Sequence, residues 1–231
     1  MKDHVIAKIE LVLKRYEKLG LTASPFYQEL KHDLTNDKWL DEIVDTITKV
    51  KNGEKIFDIV GQITAADNDH RIVTMFAEYD TARRLTDWAK NFFGTFTDAE
   101  YLPRKNKKQP DFKAWNGDKV LPVETKTLGD SAATIEAEKF NNKFLKKISQ
   151  DALPQLASFY EEMPFDEGII FVWTQLRVQP SQDRRVDAYL GLRQRVEQDI
   201  DMSSHAFDVK IITMFTNPLD LWDFQLRGGK Q

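Results

Sequence analysis

The chain has 231 residues, 41% of them hydrophobic and 11% aromatic, enough for one sizeable domain or a core with an appended subdomain. It contains no cysteine, which excludes disulfides, thiolate zinc sites and iron–sulfur clusters held by this chain and permits a cytoplasmic location, the one expected here. A net charge of −4 excludes a bulk polycation that coats nucleic acid indiscriminately, and no apolar run reaches the roughly 18 residues of a membrane span.

The N-terminal stretch "MKDHVIAKIELVLKRYEK" mixes charges into its apolar positions, unlike a signal peptide. Residues 1–66 read as a helical subdomain. Val5, Ile9, Val12, Leu13, Tyr16 and Leu19 recur at helical spacing and stop at Gly20; Trp39, Leu40, Ile43, Val44, Ile47 and Val50 do so before Asn52-Gly53; Ile56, Phe57, Val60 and Ile63 make a shorter third set. Amphipathic helices of this kind form cores or interfaces, so a homodimer or a protein partner held through them is the expectation for this region.

A long helix is predicted from Asp69 to Phe93, capped by Gly94. Met75, Ala82, Leu85, Ala89 and Phe92 form its apolar stripe, and Glu78 falls on that stripe. A carboxylate facing a core is costly unless it is paired or bound. A rim position or an ion pair with Arg71 would account for it; so would a polar site.

The charge-rich stretch "GTFTDAEYLPRKNKKQ" reads as a loop, after which the pattern turns to strands. Phe112 and Ala114 alternate with Asp111, Lys113 and Trp115; Asn116-Gly117 is a strong hairpin signal; "KVLPVETKTL" returns. Helical sequence runs from Ser131 to Glu162, with Pro154 marking a kink or the start of a second helix. "GIIFVWTQLRV" from Gly168 and "FDVKIITMF" from Phe207 read as buried strands flanking an amphipathic helix, "DRRVDAYLGLRQRVEQDI"; the "RGGKQ" tail is expected to fray. The fold class is therefore α/β, with a mixed central sheet flanked by helices over residues 67–231.

If Asn116 and Gly117 are the two turn residues, Trp115 pairs with Asp118 and Asp111 faces Pro122. Side chains alternate with period two, so Asp111, Glu124 and Lys126 share a face, with Asp111 and Glu124 as diagonal neighbours roughly 7–8 Å apart. Pro122 within the second strand suggests an edge or a bulge. Two adjacent carboxylates repel unless a cation sits between them, and Mg²⁺ favours such oxygen donors, completing its shell with water and phosphate oxygens. A lysine two residues on can orient an attacking water, a combination suited to phosphodiester hydrolysis. Positive charge also concentrates here: residues 100–150 hold 11 basic against 7 acidic side chains. Uneven surface charge is the bland reading of that surplus; phosphate contacts are the functional one.

Pro110-Asp111 followed by Glu124-Thr125-Lys126, on a hairpin between helices, resembles the PD-(D/E)XK nuclease superfamily, with its restriction-endonuclease-like fold. The resemblance covers about residues 69–215. It implies Asp111, Glu124 and Lys126 as catalytic residues, with Asp111 and Glu124 as ligands of Mg²⁺, for which Mn²⁺ can substitute, and Lys126 assisting the water. Glu78 matches the further metal-binding carboxylate that many members place on the preceding helix. DNA is the implied partner, contacted by Lys105, Lys107, Lys108, Lys143 and Lys147, with an RNase or a catalytically inert binding or scaffold protein on the same fold as alternatives. Gln155 is a candidate site neighbour; it lies five residues before Tyr160, which does not match the Gln-x-x-x-Tyr motif of one nuclease branch. A second Glu-x-Lys, Glu29-Leu30-Lys31, sits in helical sequence with no Asp-bearing strand before it and is set aside.

Overall fold

The computed structural model describes residues 2–18, 20, 22, 25–62, 68–87, 96–103, 109–128, 137–174, 182–216 and 219–229. By internal packing the chain forms two compact units, Met1–Pro103 and Arg104–Gln231.

The first unit contains α1 (Lys2–Lys18), α2 (Pro25–Asp33), α3 (Asp37–Lys49), a 3₁₀ segment (Gly53–Gln62), α4 (Asn68–Thr86) and a short strand, β1 (Asp98–Tyr101). Asn36 caps α3, its side chain accepting from the Trp39 amide, and the Leu40, Ile43 and Ile47 face is buried. The third apolar set, from Ile56 to Val60, lies in the 3₁₀ segment, and Ile63 is outside the described residues. From sequence, α4 was expected to open the α/β core; it packs instead on α3 and the 3₁₀ segment. β1 lies where a loop was expected. Its backbone is fixed within the same unit, Lys51 donating to the Ala99 carbonyl and Tyr101 donating to the Lys51 carbonyl, both at 2.9 Å. Those bonds tie β1 to Lys51 within the first unit. The expected extension of α4 to Phe93 with its Gly94 cap lies outside the described residues.

The second unit is an α/β structure: β2 (Phe112–Asn116), β3 (Lys119–Leu128), α5 (Ala137–Lys146), a π-helical turn (Lys147–Ala152), α6 (Leu153–Glu162), β4 (Glu167–Thr174), α7 (Gln182–Asp199), β5 (Asp208–Thr216) and β6 (Leu219–Leu226). Its strands lie in chain order. β2 and β3 are antiparallel, β3, β4 and β5 parallel, and β6 antiparallel to β5. Both parallel crossovers step in the same direction, so right-handed connections put α5, α6 and α7 on one face. The core cluster agrees, joining Leu128, Ile170, Val172 and Ile211 of the sheet to Phe144, Leu156, Leu192 and Val196 of the helices. Phe144 is fully buried in it, a contribution of about 2–3 kcal/mol.

Two expectations change at the end of the chain. β6 is a further strand, with Phe224 and Leu226 buried and Asp223 and Gln225 exposed. The tail is pinned through Gly229: the Asp208 carboxylate accepts from Arg227 Nη1 at 2.7 Å and from the Gly228 amide at 2.9 Å. A Cβ on Gly228 would lie 2.4 Å from the Phe207 carbonyl, so this close approach requires glycine. Among the described residues, no helix is long and apolar enough to cross a membrane.

Candidate active site

The hairpin closes one residue later than the Asn-Gly reading expects. Asn116 pairs with Lys119, leaving Gly117 and Asp118 as the turn. Gly117 has φ of 61°, whereas Asp118 has no positive φ, the pattern of a type II′ turn, which favours glycine first. Lys113, and not Asp111, faces Pro122, and Phe112 pairs with Val123. The shift along β3 is two residues, an even number, so no side chain changes face. Continued by one residue, the register sets Asp111 directly opposite Glu124 instead of diagonal to it. Hydrogen-bonded and open pairs alternate along an antiparallel ladder, so Pro122 stands in an open pair with its nitrogen turned away from β2. β4 pairing begins only at Val123, and Pro122 fits β3 with no bulge.

Main-chain amides fix both carboxylates. Asp111 N–H donates to Glu124 Oε2 at 3.2 Å, and Thr125 N–H donates to Asp111 Oδ2 at 2.9 Å. Glu124 is fully buried and Asp111 is 3% exposed, so these charge-assisted bonds lie where water competes little. Lys126, on the same face as Glu124, donates from Nζ to Glu124 Oε1 and, at 2.6 Å, to Oε1 of Gln155 on α6. The π turn packs over β3, and Lys113 Nζ lies 5.9 Å from the Phe159 ring centroid. The site therefore sits on the helix-covered face of the sheet.

Asp111, Glu124, Lys126 and Gln155 thus come together. Glu78 belongs to the first unit, fully buried on α4, where its Oε2 accepts from the Tyr101 hydroxyl at 2.8 Å. Lys143 is exposed on α5, and Lys147 makes a 2.8 Å ion pair with Asp151. Lys105, Lys107 and Lys108 lie outside the described residues. Sequence reasoning missed the amide donors, whose directions depend on where the hairpin pairing ends. The Asp151 carboxyl is held below the usual carboxylate range, first by its hydrogen bond from Lys147, with Lys126 and Lys146 adding to the effect.

Among the described residues no group of three or more His, Cys, Asp or Glu side chains is placed to hold a metal ion. Magnesium does not need one, since it binds through one or two carboxylates and keeps several waters. Facing carboxylates with rotamers set by backbone amides are a donor set of that kind, so the residues fit a hard divalent cation. Compared with protein-family models, with curated proteins and with solved structures, the chain finds no match.

Proposed function

We propose that the protein is a metal-dependent nuclease of the PD-(D/E)XK type that hydrolyses DNA phosphodiester bonds, an endonuclease of restriction, defence or repair. One observation carries the reading: two buried carboxylates and a lysine converge on one face of a strand pair, at the positions of the Asp and Glu-x-Lys pattern. The mixed sheet of the second unit, with helices over the face that carries the three residues, is of the α/β class that such a core requires.

Asp111 and Glu124 would hold Mg²⁺ or Mn²⁺. When bound, the cation supplies Lewis-acid polarisation of a phosphate and offsets charge that develops on its oxygens. The amides of Asp111 and Thr125 keep the carboxylates in one orientation, so little reorganisation accompanies binding. Lys126, with two acceptors beside it, has an N–H left for a water or a phosphate oxygen. Lys143 and Lys147 supply positive charge on the adjoining helix for the flanking backbone.

The test is an assay on supercoiled plasmid, linear duplex, single-stranded DNA and RNA, each with Mg²⁺, Mn²⁺ or EDTA. Plasmid is expected to be nicked or linearised with metal and left intact in EDTA. Asp111→Ala, Glu124→Ala and Lys126→Ala should each lower the rate by about 10²–10⁴-fold, with circular dichroism unchanged. Full activity in any of the three overturns the assignment, and cleavage confined to RNA moves it to an RNase.

A further inference from the structure

We infer that Gln155 is the positioning residue for the Lys126 ammonium, and that the π-helical turn Lys147–Ala152 brings it there. The catalytic consequence rests on the nuclease reading; the structural one does not.

A lysine head is a compact charge on a flexible four-carbon stem, with three donors and no fixed direction. Glu124 lies two residues away on the same strand, so its bond to Nζ holds the ammonium along the strand without setting its height above the sheet. Gln155 reaches it from α6, a separate element, at 2.6 Å. Two acceptors from two directions define where the third N–H points. The chemistry of the amide matters as well. Its oxygen accepts from the ammonium without adding a third negative charge beside Asp111 and Glu124, whereas a glutamate there would compete for the lysine.

The helical phase of Gln155 follows from Pro154. In an uninterrupted α-helix the proline ring would collide with the carbonyl four residues earlier, that of Gln150. Here the Leu153 amide donates to the Ile148 carbonyl, an i to i−5 bond, and the widened turn accommodates the ring. The extra residue rotates everything beyond it by roughly 100° relative to α5. Were the same sequence to run on as an α-helix, Pro154 would take the place of Gln155, and no acceptor would face the lysine.

Full-length protein labelled with ¹⁵N-lysine tests this. Lysine ammonium groups held by acceptors give proton–nitrogen correlations that exposed, rapidly exchanging ones lose, and Lys126→Arg identifies the signal of Lys126. The signal is expected in the parent protein and absent or displaced in Gln155→Met, which keeps the volume and removes the acceptor. Cleavage by Gln155→Met should fall about 10- to 100-fold in kcat with KM for DNA unchanged. Inserting one alanine after the exposed Gln150 should turn Gln155 by a further 100° or so and abolish the same signal. An unchanged Lys126 signal in Gln155→Met overturns the inference, and one retained in the insertion returns the π turn to a packing role. Full kcat with the signal lost overturns the catalytic consequence. If the parent protein cleaves nothing, the nuclease reading fails, and the spectra still decide whether Gln155 positions Lys126.

Discussion

On α4 of the first unit, Asp80 lies 2.8 Å from both Arg83 and Arg84, and Arg83 also reaches Glu42 at 3.0 Å. On the hairpin of the second unit, Asp111 stands opposite Glu124, a like charge, and main-chain amides from the two strands hold both in place. Both arrangements bury carboxylates beside polar partners. The first joins opposite charges, as a structural ion-pair network does. The second sets two carboxylates opposite each other with the Lys126 ammonium on Glu124, an arrangement that a further cation between them would ease.

The contrast can be broken by removing one charge from each region. Asp80→Asn takes the shared carboxylate from Arg83 and from Arg84, the latter 8% exposed, and should cost about 3 kcal/mol, the scale of breaking a buried pair. Asp111→Asn keeps an oxygen for the Thr125 amide and relieves repulsion with Glu124, so its cost should stay below about 1 kcal/mol. Urea unfolding without divalent cations, followed by hydrogen exchange of amides within each unit, gives the two values. Equal losses would show that the pairs at Asp80 and Asp111 play the same structural role.

Alkaline pH probes the α4 region again, with a smaller effect. Burial pushes the Tyr79 phenol up to about 12. The folded state therefore keeps a proton that the unfolded chain releases near pH 10. The associated stability is complete below that pH and is lost as pH rises towards 12, a total of roughly 2–3 kcal/mol. Tyr79→Phe should flatten the pH dependence of the unfolding midpoint over that window. A slope equal to the parent's would mean that the phenol ionises as readily folded as unfolded.

The same contrast explains what the sequence made legible. The face shared by Asp111, Glu124 and Lys126 follows from strand alternation and the parity of the hairpin register, and survived a misplaced turn because the misplacement was even. Asn116 and Gly117 read as the two turn residues; Gly117 instead takes the first turn position, at positive φ, with Asp118 second. The alternation of Trp222, Phe224 and Leu226 was available as the signal of β6 and went unread. β1 offers only four residues, and hydrogen bonds to Lys51, far away in sequence, define it. Gln155 could be suspected but not placed, because its direction depends on a single inserted helical residue that periodicity cannot count across a proline. The tail bonds likewise depend on Asp208, a partner that no local pattern names.

Thr213 sharpens the comparison at its smallest scale. It is fully buried on β5, paired with Val172, which pairs in turn with Lys126, so all three side chains share the helix-covered face. Its hydroxyl has no hydrogen-bond partner, unlike that of Thr81 in the first unit, buried as deeply, which donates to the Ala77 carbonyl at 2.8 Å. An unsatisfied buried hydroxyl costs about 1–3 kcal/mol relative to an apolar group of the same shape. Thr213→Val should therefore stabilise the second unit by about 1 kcal/mol, whereas Thr81→Val, which gives up a made bond within a helix, should stabilise nothing. The two urea midpoints, compared with the parent's, decide it. A loss of stability in Thr213→Val would mean that the hydroxyl has a bound water for company, and that the polar character of the site extends two strands inward from Lys126.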